Sequence, residues 1–175
     1  MTLHRRAYLA VLTGGVAALA GCSDALTSAT PSPTETPMDW RVRRRPVYLG
    51  PGIAQRPPEY MQVVDDPADA VLAVLDRNTD ATGDRVVAWL REGLAVGVLG
   101  HGAAGRLFDL LEAGDAGDHF DASVLVPGDT EDVDGAVVSP LEAHNEGEKP
   151  GLGTGFVDND DWVAVVDSML RGLDA

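Results

Sequence analysis

The chain has 175 residues and a formal net charge of -15 at pH 7, with 28 acids against 13 Lys or Arg. A surface of that sign repels nucleic acid, whose binding requires clustered cations. The single cysteine, Cys22, closes no internal disulfide and builds no cysteine-rich metal site, and nowhere are there the roughly 20 consecutive apolar residues that a membrane-crossing helix needs.

The first stretch reads as an address. Arg5 and Arg6 give it a charged start, and residues 7–20 are apolar and uncharged, the length of a signal-peptide apolar region. Arg5-Arg6 followed by Tyr8-Leu9 resembles a twin-arginine signal, the export route for folded proteins. Leu19-Ala20-Gly21-Cys22 resembles the lipobox of prokaryotic lipoproteins. That resemblance implies cleavage before Cys22, lipid on its thiol, and a protein held on the extracytoplasmic face of the cell membrane, the membrane being its one implied partner. Without it, the same stretch is a plain cleaved signal or an uncleaved anchor, with Cys22 incidental.

Loss of residues 1–21 removes Arg5, Arg6 and no acid, leaving a charge of -17. Asp outnumbers Glu 20 to 8, and Lys149 is the sole lysine. This balance resembles that of proteins from extremely halophilic archaea, where dense carboxylates keep a surface hydrated in molar salt.

Residues 22–39 carry Cys22 and a Ser/Thr/Pro-rich segment with almost nothing to bury, which reads as a tether. Residues 40–175 then form one domain, long enough for a single core. Arg41, Arg43, Arg44 and Arg45 make its one basic cluster, read as a charged edge segment that pairs with nearby acids, with anionic headgroups as the other option. Residues 47–49 predict a short strand running into the turn Gly50-Pro51-Gly52, and the apolar run 70–75 a strand buried on both faces. Residues 82–92 predict a helix with Val86, Val87 and Leu90 on one side and Gly93 past its end, followed by a buried strand over 94–99. Ala104, Leu107, Phe108 and Leu111 space out a second helix; 123–126 and 136–138 predict further strands. Trp162, Val165, Val166, Met169, Leu170 and Leu173 share one face of a last helix, with Asp158, Asp160 and Asp161 near its start, where the dipole favours negative charge. The alternation predicts a single three-layer α/β domain with a small, mostly parallel sheet.

Ligands in open α/β sheets bind beyond the carboxyl ends of the strands. The residues predicted there include Gly50 to Gly52, Asp76, Gly100-His101-Gly102, Asp129 and the glycine-rich loop 142–155 with Gly151 and Gly153. That loop reads equally as a lid over the Gly100 turn or as a surface loop. At the turn, a strand enters a helix through glycines. Residues 69–111 resemble the central strand-helix-strand-helix of the class I glutamine-amidotransferase-like superfamily, nearest its intracellular-protease and deglycase branch. Val133 to Pro140, with the closing helix, resembles that branch's C-terminal strand and helix, so the resemblance implies a flavodoxin-like or amidotransferase-like architecture.

The family's strand ends in a Cys-His-Gly nucleophile elbow, in which the helix start activates the thiolate. His101 and Gly102 match, but Gly100 stands at the nucleophile position, no carboxylate follows the first strand, and residues 52–68 are shorter than the family's region. The resemblance therefore implies a scaffold without that catalysis.

Three rival readings compete. Gly100-His101-Gly102-Ala103-Ala104-Gly105 satisfies G-x-G-x-x-G with Asp129 as a late ribose-binding acid, which predicts nucleotide or dinucleotide binding. A hydrolase or transferase would use His101 with Asp76. Residues 130–135 brush against a calcium loop but lack its first Asp and closing Glu, and neither His144, Glu146 and Glu148 nor Asp118, His119 and Asp121 has the spacing of a known metal site. The expectation is a non-catalytic lipoprotein domain that binds a ligand or partner at the sheet's carboxyl edge through Gly100, His101, Gly102, Asp129, Gly151 and Gly153, with no metal and no cofactor.

Overall fold

The computed structural model describes residues 40–121, 133–143 and 148–174. The signal and tether with Cys22, the strand expected over 123–126, Asp129, and His144 with Glu146 lie outside the described residues. Within them the elements run β1 (Val47–Leu49), β2 (Val63–Val64), β3 (Leu72–Asp76), α1 (Gly83–Arg91), β4 (Ala95–Leu99), α2 (Ala103–Ala113), α3 (Ala116–His119), β5 (Gly135–Pro140), β6 (Leu152–Val157) and α4 (Trp162–Gly172). This is an α/β domain with a mixed, mostly parallel sheet in the order β2-β1-β3-β4-β5-β6.

The four strands up to β4 are mutually parallel, Val47 pairing with Val63 and Leu72, and Leu72 with Ala95. The last two pairings are antiparallel: Leu99 lies opposite Gly135, and Gly135 opposite Val157. Two features depart from the expected pattern. The two-residue β2 is too short for a periodicity signal. Residues 152–155, expected within a lid or surface loop, belong instead to the edge strand β6, whose register from Leu152 opposite Pro140 to Val157 opposite Gly135 makes it an antiparallel neighbour of β5.

Side chains alternate across the sheet as the period of two requires. Ala73 and Leu75, with Val96 and Val98, face α1 and α2; Leu72 and Val74, with Ala95 and Leu99, face α4 and the 3-10 turn Arg41–Arg43. Each side chain so buried stabilises the fold by about 1.5–3 kcal/mol for a Val or Leu. The helices start where their caps allow. Thr82 Oγ1 accepts the Arg85 N–H at 3.4 Å to begin α1, and the Asp161 carboxylate accepts the Val163 N–H at 3.0 Å to begin α4.

Glycines set how closely the layers approach. A Cβ at Gly83 would lie 2.4 Å from the Gly114 nitrogen and the Leu110 carbonyl oxygen, so the start of α1 rests on the backbone at the end of α2. A Cβ at Gly135 would lie 2.3 Å from Val165 Cγ1, and one at Gly97 2.7 Å from Met169 Sδ; these two strand glycines admit α4 onto the sheet.

The basic cluster is not on a sheet edge. Its 3-10 turn is fastened to α4: the buried Asp167 carboxylate accepts the Val42 N–H at 3.2 Å and the Arg171 Nε–H at 2.7 Å. Arg41 pairs with Asp174 at 2.8 Å, Arg45 pairs with the same carboxylate, and the Arg43 guanidinium lies 4.5 Å from the centre of the Tyr60 ring. Asp174 thus answers two of the four arginines.

Candidate functional site

The chain leaves β1 toward β2 on one side and enters β3 and β4 on the other, so strand order reverses between β1 and β3. At such a reversal the connecting loops splay apart and leave a crevice beyond the carboxyl ends. A cleft of about 210 Å³ lies at that edge, lined by Ile53, Gln55, Asp76, Leu99, Gly100, Asp134, Asn159, Asp160, Trp162 and Val165. Among the described residues its walls come from five places in the chain: the loop after β1, the ends of β3 and β4, the start of β5, and the segment from β6 into α4.

The antiparallel strands explain why these segments meet. Because β5 runs against β4, its beginning, not its end, reaches the carboxyl edge and brings Asp134 there. Because β6 reverses again, its end reaches the same edge and delivers Asn159, Asp160 and Trp162. Backbone hydrogen bonds hold the floor together: Arg77 N–H donates to Leu99 O at 2.9 Å, Gly100 N–H to Asp134 O at 2.8 Å, and Gly102 N–H to Val133 O at 3.2 Å.

The glycine turn is as tight as its composition predicts. Gly100 has φ +108° and Gly102 φ +77°, values that side-chain-bearing residues rarely adopt. Gly100 lines the cleft, and a Cβ on it would press on the aliphatic part of Arg77 at 3.2 Å. The Arg77 guanidinium donates to the His101 carbonyl, and Arg106 donates to Thr79 O at 2.9 Å, which ties the loop after β3 to the turn before α2.

The predicted site residues divide accordingly. Asp76 and Gly100 come together at the cleft. His101, the next residue after Gly100, is exposed and is not among the residues lining the cleft. Gly102 caps α2 behind it. Gly151 and Gly153 are at the other end of the sheet: Gly151 bridges Asp121, and Gly153 pairs with Ser139, four residues down β5 from the cleft. They act as extended strand backbone, so they do not fold over the Gly100 turn. Among the described residues no group of three or more His, Cys, Asp or Glu is placed to hold a metal ion.

The acids of the cleft stand out against the rest. Of the described Asp and Glu residues, Asp167 is buried, Asp76 and Asp134 are half-buried, and all others are exposed. Asp167 belongs to the α4 anchor, whereas Asp76 and Asp134 both line the cleft. Asp76 accepts the Asn78 N–H at 2.8 Å, while the Asp134 carboxylate makes no hydrogen bond or ion pair with a described residue. Among the described residues no Lys, Arg or His lines the cleft.

Sequence reasoning passed over Asp134, Asn159, Asp160 and Trp162 as site residues. Asp134 read as part of a stretch that brushes against a calcium loop, Asp160 as helix-dipole complement and Trp162 as apolar stripe; the reversed direction of β5 and the return of β6 convert them into cleft walls. No helix among the described residues is long and apolar enough to cross a membrane. Comparison with protein-family models, with curated proteins and with solved structures finds no match for this chain.

Proposed function

We propose that this chain is a lipid-tethered, extracytoplasmic binding domain of a halophile, which holds a small ligand in the cleft at the carboxyl edge and performs no chemistry on it. The observation that carries this reading is the cleft itself: it sits where strand order reverses, and its described lining holds two half-buried carboxylates but no cysteine, serine, histidine or lysine. The strand order and the Gly100 turn support descent of the scaffold from a flavodoxin-like or amidotransferase-like α/β fold. A strained turn that would hold a nucleophile is there with glycine in its place, which relieves the strain and removes the reacting atom.

The same lining argues against nucleotides. A polyphosphate entering beside Asp76, Asp134 and Asp160 would meet carboxylates with no cation among the described lining residues to answer it. A hydrolase built on His101 and Asp76 would have its imidazole outside the cleft wall.

Two measurements test the proposal. Intact mass and membrane fractionation of wild type beside Cys22→Ser, expressed in a halophile, should show lipid mass and membrane association in the wild type alone; two soluble, unmodified, full-length products would refute the anchor. A thermal-shift and fluorescence screen of small molecules in molar KCl should find compounds whose effect disappears in Trp162→Ala. A screen in which no compound distinguishes that variant from wild type refutes the binding cleft.

A further inference from the structure

We infer that the ligand of this cleft is a small organic cation, an ammonium group carrying apolar substituents. This rests on the cleft being a binding site, as proposed above, and adds the chemistry that site selects. Three acids line the cleft, Asp76, Asp134 and Asp160, with no basic side chain among the described lining residues. Asp134 carries the argument. It is half-buried, so part of its hydration is already lost, and it makes no hydrogen bond or ion pair with a described residue. A carboxylate kept in that condition gains most from a positive charge brought to it.

Charge alone would select any cation, and in molar salt inorganic ions are abundant and screening is short-ranged. The remaining walls discriminate. Trp162 supplies an indole, the aromatic side chain that attracts a cation best, and Ile53 and Leu99 add apolar surface. A hydrated potassium ion has no use for these groups, whereas an alkylated ammonium presents a charge and an apolar shell together. The cleft, about 210 Å³, has room for an ammonium with a few methyl-sized substituents.

The test titrates detergent-solubilised full-length protein with choline chloride, followed by calorimetry and tryptophan fluorescence at constant chloride in molar KCl. The neutral carbon isostere of choline, 3,3-dimethylbutan-1-ol, and the anions acetate and phosphate are run beside it. Choline should bind and the isostere should not. Asp134→Asn and the exposed-site Asp160→Asn, both checked for an unchanged melting temperature, should each weaken choline about tenfold, and Trp162→Leu by a similar factor. Trp162→Phe should abolish most of the fluorescence change while calorimetry still detects binding. Equal binding of choline and its isostere, or binding of an anion in preference to choline, overturns the cation assignment and leaves the cleft a binding site. Silence from all four probes together with a screen in which nothing senses Trp162 removes the binding site itself.

Discussion

The two faces of the sheet are held in different ways. On the α1 and α2 face, most partners come from one continuous piece of chain, residues 72–120, joined by Ala136 and Val138 of β5 and Leu152 of β6, and the packing is apolar: Val86, Leu90, Leu107 and Leu111 lie with Leu75, Val96 and Val98. On the α4 face, the helix meets a 3-10 turn more than 100 residues away in sequence, through Asp167 to the Val42 N–H and through Asp174 to Arg41 and Arg45. It also needs two strand glycines to come close. A face built mostly by neighbours in the chain relies chiefly on burial, with one close glycine contact between Gly83 and Gly114, whereas one built by distant segments adds polar contacts to its glycine windows to set its register. The cleft belongs to the second face, since Trp162 and Val165 of α4 form part of its wall.

Substitutions can break this contrast in order of size. On the apolar face, Leu107→Ala removes a side chain with no exposure and should cost about 2–5 kcal/mol in denaturant unfolding, with choline affinity unchanged in the folded fraction. Gly135→Val on the other face should cost about 3 kcal/mol, because its Cβ alone would sit 2.3 Å from Val165 Cγ1. Since Val165 lines the cleft, this variant should also weaken ligand binding, and unchanged affinity would separate the cleft from α4 seating.

Smaller effects sharpen the polar half of the comparison. Asp167→Ala leaves the Val42 N–H without its acceptor and should cost about 2 kcal/mol, while Asp167→Asn, which keeps an acceptor oxygen, should cost less; equal losses would mean the charge and not the hydrogen bond seats the turn. Asp174→Ala removes both arginine pairs at a position about a third exposed. It should cost about 0.2–1 kcal/mol, and chemical melts at rising KCl should show that difference shrinking.

Most elements of the domain were legible from periodicity. The helix predicted over 82–92 is Gly83–Arg91, the strand over 94–99 is Ala95–Leu99, and the apolar stripe from Ala104 to Leu111 lies within Ala103–Ala113. The glycine turn was legible too, because only glycine tolerates the φ that the chain takes at Gly100. The glycines of β6 were not: the same residue that marks a turn at 100–105 serves as plain extended backbone at Gly153 and Gly155, and composition does not distinguish these uses. Half of the candidate site was therefore in view, as Asp76 and Gly100, and the other half, Asp134, Asp160 and Trp162, was seen only as turn, cap and stripe.

By itself, the sequence determined the alternation of strands and helices, the buried stripes and the acidity of the surface, because these depend on side chains a few positions apart. The tertiary structure alone decided that β5 turns back against the parallel strands and β6 turns back against β5, that Gly97 and Gly135 lie beneath α4, and that Asp134 meets Asp76 at one edge. Strand direction and helix approach are settled by pairing between distant segments, where the free energy comes from burying whole faces together and no local pattern records the outcome.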